Sequence, residues 1–179
     1  NKVVDAEGKT VAETAKTVTL PSASPMLLVY PPVPADKSRS TYHTTLTVKR
    51  PQLWSCERPY TYKVATTIEL KGKVMDAYQT GTGFRTFSFD AAKGFSLNGK
   101  QMKINGVCQH HDLGCLGAAI NEDALHRQLR ILKEMGTNAI RCSHNPPAPE
   151  LLAMCDTMGL IVMDESFDMW RRRKTKNDH

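Results

Sequence analysis

The chain has 179 residues, 40% of them hydrophobic and 23% charged, enough for one or two small cores and unlike a disordered polymer. No apolar run approaches the roughly 18–20 residues that span a bilayer, and no leader-like pattern is visible at the polar start Asn1-Lys2. The net charge is +6, but much of the excess lies in Arg171-Arg172-Arg173-Lys174-Thr175-Lys176, which has no interleaved aromatics and reads as a solvated surface rather than a nucleic-acid site.

From the N-terminus, Val3-Val4 and Val11 flank Asp5-Ala6-Glu7-Gly8 and predict a hairpin. Pro21, Pro25, Pro31, Pro32 and Pro34 break the next stretch into edges and loops. Tyr42, Thr44, Leu46 and Val48 alternate with their neighbours. So do Tyr60, Tyr62, Val64, Thr66, Ile68 and Leu70, at the period of a half-buried strand. Lys71-Gly72-Lys73 turns the chain, and Val74 to Asp90 supplies more strand-like sequence. Short strands with frequent turns predict a β-sandwich over residues 1–90. Gly81-Thr82-Gly83 precedes no helix, so it marks a bulge rather than a dinucleotide site.

Beyond Gly94 the pattern changes. Met102 to Val107 predicts a strand. Glu122 to Met135 predicts a helix with Asn121 as N-cap, an apolar face of Leu125, Leu129 and Leu132, and Gly136 just past its end. Asn138 to Ser143 is the next strand. Pro149 to Met158 is a second helix, with proline in its first turn and Gly159 as its stop. Leu160 to Met163 is a short apolar strand of the kind buried in parallel sheets. This β-α-β-α-β order fits an open doubly wound sheet or a (β/α)8 barrel. The five cysteines, Cys56, Cys108, Cys115, Cys142 and Cys155, form no CxxC pair, so they read as small buried hydrophobes rather than a zinc or disulfide framework.

Reactive side chains follow each predicted strand: His110-His111-Asp112, then Arg141 to Pro146, then Asp164-Glu165 with Asp168 and Trp170 beyond. In a parallel α/β fold, carboxyl ends of strands share one face, where active sites are built. Each residue also has a structural reading. His144 could be a buried histidine satisfied by a carbonyl, Arg141 the ion-pair partner of Asp164 or Glu165, and Trp170 ordinary packing. His110 and His111 are adjacent, so on an extended chain only one faces the pocket. A metal-dependent hydrolase would want histidines at i, i+2 on a strand, and this chain has i, i+1. A sugar site suits Asp112, His111, Arg141 and His144, which can bond hydroxyls. Retaining glycoside cleavage needs two carboxyl groups roughly 5–5.5 Å apart, and spacing alone leaves Asp112 and Glu165 as candidates.

At these residues the sequence resembles glycoside hydrolase family 2. Gly83-Phe84-Arg85-Thr86-Phe87 is similar to the signature leading out of that family's immunoglobulin-like domain, and Leu97-Asn98-Gly99-Lys100 to the start of its barrel. Gly106 to Asp112 resembles its first-strand motif, Arg141-Cys142-Ser143-His144-Asn145-Pro146 its RxSHxP motif, and Asp164-Glu165 its third-strand pair. Leu53-Trp54-Ser55 with Pro59-Tyr60-Thr61-Tyr62 resembles a segment of its sandwich. The resemblance implies a partial immunoglobulin-like sandwich over 1–90, followed over 91–179 by the first three βα units of a (β/α)8 TIM barrel.

His110-His111-Asp112 and the loop from Leu113 to Ile120 are most similar to bacterial β-galactosidases of the family. The resemblance implies a retaining enzyme that cleaves terminal β-linked galactose from oligosaccharides or glycoconjugates, with β-glucuronidase or another β-glycosidase as the alternative. A non-catalytic sugar-binding or adhesion module is the rival from another class. It further implies that Asp112, His111, Arg141 and His144 bind substrate, with Asn145, Asp164, Glu165 and Trp170 as a supporting shell. The two catalytic glutamates are expected beyond His179, so the 179 residues alone are expected to be inactive. The family's magnesium-dependent members carry a Glu-x-His soon after the third-strand pair. Glu165-Ser166-Phe167-Asp168 lacks it, so no metal or cofactor is expected. Neither nucleic acid nor a membrane span is expected, and an open sheet edge predicts self-association. The resemblance favours a periplasmic or secreted location, with the cytoplasm as the alternative.

Overall fold

The computed structural model describes residues 1–18, 43–166 and 175–176. The proline-rich stretch from Pro21 to Pro34, Tyr42, Asp168, Trp170 and the arginines of the basic tail lie outside the described residues. The chain forms two compact units, Asn1–Arg50 with Lys63–Thr80, and Pro51–Tyr62 with Gly81–His179. These units divide the chain differently from a boundary at residue 90, because 51–62 and 81–90 group with the later residues. Hydrogen bonds account for that grouping: Trp54 N donates to Phe84 O at 2.8 Å, and Asn98 Nδ2 to Trp54 O at 2.9 Å.

The first unit is built on a four-stranded sheet in the order β2-β1-β3-β4, formed by β1 (Lys2–Val4), β2 (Thr10–Glu13), β3 (Tyr62–Leu70) and β4 (Lys73–Thr82). The β1–β2 hairpin is antiparallel as expected, and Asp5 Oδ1 accepts from Lys9 N at 2.7 Å to close its turn. Lys71 and Gly72 join β3 to β4 with φ of 50° and 78°, the two left-handed residues that a tight two-residue hairpin demands. Residues 43–48 form no strand, contrary to the alternation of Thr44, Leu46 and Val48. Alternation fixes which way side chains point, but a strand also needs a ladder partner.

The second unit holds two sheets. One is antiparallel, β5 (Phe87–Asp90), β6 (Gly94–Leu97) and β7 (Lys100–Gln101), and Asn98-Gly99 turns β6 into β7 with φ of 52° and 76°. The other is parallel, in the order β10-β9-β8, from β8 (Gly106–His110), β9 (Ala139–Ser143) and β10 (Ile161–Met163). The helices α1 (Glu122–Glu134) and α2 (Pro149–Met158) connect them. The strand expected over Met102 to Val107 therefore starts later, at Gly106. The Asn138 side chain holds the preceding residues, donating to Lys103 O and accepting from Asn105 N at 2.9 and 2.8 Å, and the ladder begins only at the pair Gly106–Ala139.

Both helices end where the residues demand. Asn121 accepts from Ala124 N at 2.9 Å at the start of α1, and Gly159 closes α2 in the left-handed conformation. Leu125, Leu129, Leu151 and Cys155 from the helices pack on Ile140, Cys142 and Leu160 to form the main core. Ile140 and Cys142 thus face the helices, which leaves Ala139, Arg141 and Ser143 on the other face of the sheet. A smaller core joins Trp54, Cys56 and Leu97, and Trp54 Nε1 donates to Asp156 O at 2.7 Å. All five cysteines are free. Cys56, Cys142 and Cys155 are buried, but Cys108 and Cys115 are exposed, contrary to the reading of all five as buried hydrophobes. Cys108 sits on the face of the sheet that the helices do not cover, and Cys115 sits in the loop after β8. Among the described residues no helix is long and apolar enough to cross a membrane.

Candidate functional site

Parallel register builds the site. Cys108 on β8 lies opposite Arg141 on β9, and Arg141 lies opposite Met163 on β10, so residues at this level share one face. The chain leaves β10 and two residues later delivers Glu165 to the same place. Arg141 Nε and Nη2 each lie 2.5 Å from Glu165 Oε1. Glu165 Oε2 lies 3.0 Å from His144 Nδ1, and Arg141 Nη2 lies 3.3 Å from that nitrogen. Arg141 Nη1 reaches Cys108 Sγ and Ser143 Oγ, each at 3.4 Å. The Ser143–His144 peptide bond is cis.

The electrostatics follow from these contacts. The His144 hydrogen bond, then Arg141, holds the Glu165 carboxyl below its ordinary pKa against the opposing effect of desolvation. Arg141 is held still more firmly protonated by Cys108 and Glu165. Its hydrogen bond lowers the Cys108 thiol, with help from Ser143. Burial does the opposite to Cys155, pushing it up to about 12, as befits a core thiol.

Beside this cluster, the loop after β8 and the start of α2 enclose a cavity lined by His110, His111, Asp112, Ser143 and Asn145, over a floor that includes Leu125 and Leu151. Both adjacent histidines line it, not one as expected. β8 ends at His110 and the chain bends at His111, so strand alternation no longer applies there. Asp112 Oδ1 accepts from Gly114 N at 3.0 Å and so helps fold the loop that carries it. Ser143 lines the cavity as well as contacting Arg141, and the His110 ring meets the His144 ring edge-on at 5.7 Å. These two residues join the cavity to the ion cluster.

Of the expected site residues, the structure brings Arg141, His144 and Glu165 together and gathers His111, Asp112 and Asn145 around the cavity. Asp164 is exposed and bonds to neither group, which leaves Glu165 as the partner of Arg141. Trp170 lies outside the described residues. Sequence reasoning left open which of His110 and His111 faces the pocket, and it gave Cys108 and Ser143 no role in the site. Alternation along β8 and β9 was the available signal, since 108 and 110 share a face, as do 141 and 143. Among the described residues no group of three or more His, Cys, Asp or Glu could hold a metal ion. Arg141 donates to Glu165, Cys108 and Ser143, and 39% of its side chain stays exposed. Arg141, His111, Asp112, Asn145 and the Nε2 of His144, which has no partner among the described residues, are groups able to bond a polyhydroxylated ligand.

Comparisons with known proteins give this geometry a context. The model for glycosyl hydrolases family 2 matches residues 1–85, and that for the TIM barrel domain of the same family matches residues 91–171. The chain is 55% identical over 98% of its length to the beta-galactosidase BoGH2A of Bacteroides ovatus, covering 19% of that protein. It is 46% identical over 72% of its length to a putative beta-glucuronidase of Formosa agariphila, covering 12% of it. A crystal structure of a glycosyl hydrolase family 2 member from Bacteroides cellulosilyticus aligns with a TM-score of 0.83 at 40% identity, over 99% of this chain and 21% of that one. The chain thus spans between 12% and 21% of the length of these relatives.

Proposed function

The chain belongs to glycoside hydrolase family 2, and from that membership we propose that it is part of a retaining glycosidase that releases terminal β-linked galactose. One observation carries the reading. In a chain 55% identical to a beta-galactosidase, hydroxyl-binding side chains converge where parallel strands end, with His111, Asp112, His144 and Asn145 grouped beyond β8 and β9. Carboxyl ends of barrel strands are where such enzymes bind substrate. The β8-α1-β9-α2-β10 run corresponds in this reading to two βα units and the strand of the third in a (β/α)8 barrel. The matched family models meet between 85 and 91, which supports an immunoglobulin-like domain over 1–90.

Within the site, Asp112 accepts a sugar hydroxyl through the carboxylate oxygen that Gly114 leaves free. Its charge strengthens that bond. His111 and Asn145 complete the cavity wall, and His144 offers its outer nitrogen. Glu165 suits neither catalytic carboxyl role. A general acid must hold a proton near neutral pH, whereas Arg141 and His144 keep Glu165 ionised. A nucleophile needs a free oxygen aimed at the anomeric carbon, and both Glu165 oxygens are engaged. We therefore place the acid/base and nucleophile outside these 179 residues. The substrate class is β-galactoside oligosaccharide or glycoconjugate.

The second reading, a β-glucuronidase, is favoured by the 46% identity to a putative beta-glucuronidase. Assaying the full-length protein with an aryl β-galactoside and an aryl β-glucuronide decides between them. Higher kcat/KM on the galactoside is expected, and turnover of the glucuronide alone would overturn the first reading.

A further inference from the structure

We propose that Glu165 is a positioning residue for His144: it fixes the ring as the Nδ1–H tautomer and leaves Nε2 as an acceptor for a ligand hydroxyl. The ligand's identity rests on the glycosidase reading above, whereas the tautomer rests on geometry alone.

Two groups compete for Nδ1. Glu165 Oε2 at 3.0 Å is ionised and can only accept, while Arg141 Nη2 at 3.3 Å can only donate. One ring nitrogen cannot satisfy both. The carboxylate is nearer and charged, whereas Arg141 commits Nε and one Nη2 hydrogen to Oε1 and Nη1 to Cys108 and Ser143, and with 39% of its side chain exposed it can give its second Nη2 hydrogen to solvent. The proton therefore sits on Nδ1, in a charge-assisted bond to Glu165. The two carboxylate oxygens divide the work: Oε1 is anchored by Arg141, and Oε2 orients the ring. Among the described residues Nε2 has no hydrogen-bond partner, and the His144 side chain keeps 32% of its surface exposed. Its lone pair accepts a hydroxyl proton and repels a ligand carboxylate, so the tautomer selects for the hydroxyl.

The experiment is imidazole 15N spectroscopy of the full-length protein, with the His144 signals assigned by loss in His144→Asn. Wild type should show Nδ1 protonated and Nε2 bare. In Glu165→Gln, Arg141 can bond only the amide oxygen, so the amide NH2 faces His144 and donates to Nδ1. The tautomer should then reverse to Nε2–H, and kcat/KM should fall about ten- to hundredfold. Nε2–H in wild type, or the wild-type tautomer retained in Glu165→Gln, would overturn the proposal. If the variant does not fold, the wild-type spectrum still decides. Failure of the full-length protein to cleave either aryl glycoside would sink the glycosidase reading without touching the tautomer.

Discussion

A Cβ placed on Gly159 would lie 2.3 Å from the carbonyl oxygen of Cys56, so the end of α2 and the segment before β3 meet at a contact that only glycine permits. Lys133 Nζ binds at the same point, donating to Cys56 O and Gly159 O at 3.1 and 3.2 Å. Gly159 also has φ of 75°, in the region where a side chain costs about 1–2 kcal/mol. Gly159→Ala should therefore lose more than that, because the Cys56 carbonyl must move as well. Gly136→Ala is the control: its φ is 86°, but nothing lies within 4 Å of an added Cβ. Urea unfolding should rank Gly159→Ala well below Gly136→Ala. Equal midpoints would mean that the backbone contact carries no energy.

Asp112→Asn should impair turnover far more than folding. The oxygen that accepts from Gly114 N survives in asparagine, so the loop keeps its turn. The lost charge weakens the bond to a sugar hydroxyl. A charged partner contributes about 1.5–3 kcal/mol, or about ten- to hundredfold in kcat/KM. The full-length variant should melt with the wild type. Unchanged kcat/KM on its glycoside would remove Asp112 from the site.

His144→Ala and Cys155→Ala should separate site from scaffold. Cys155 is 1% exposed in the core between α2 and the parallel sheet, and its truncation opens a small void. The expected cost is about 1 kcal/mol of stability with near-wild-type kinetics. His144→Ala should keep most of the stability and lose kcat/KM. Parallel thermal melts and initial rates test this, and identical profiles for the two variants would break the division.

Residues 1–179 alone should hydrolyse no glycoside. Retaining cleavage needs a carboxylate that attacks and a carboxyl that protonates. Glu165 is tied on both oxygens, and Asp112 spends one on its own loop. An aryl β-galactoside assay beside the full-length protein is the check. Turnover by the short chain that Glu165→Gln abolishes would restore Asp112 and Glu165 as the catalytic pair.

Much of this was legible in the residues themselves because it depends on local rules. Asn121 announced the start of α1, Pro149 and Gly159 bracketed α2, and Leu125 and Leu129 marked the buried helix face. The order of the motifs around Asp112, Arg141 and Glu165 pointed to the family that the comparisons established. Other features needed the folded chain. Alternation at Thr44, Leu46 and Val48 met no ladder partner among the described residues, and the side-chain bonds of Asn138 delayed β8 until Gly106. Whether Asp164 or Glu165 answers Arg141 was open in sequence, because adjacent residues differ only in the direction the backbone gives them. Parallel register decided it, by setting Cys108 beside Arg141 and bringing Glu165 back across the same face. Periodicity tells each residue which way to point, but pairing between distant strands determines what it meets.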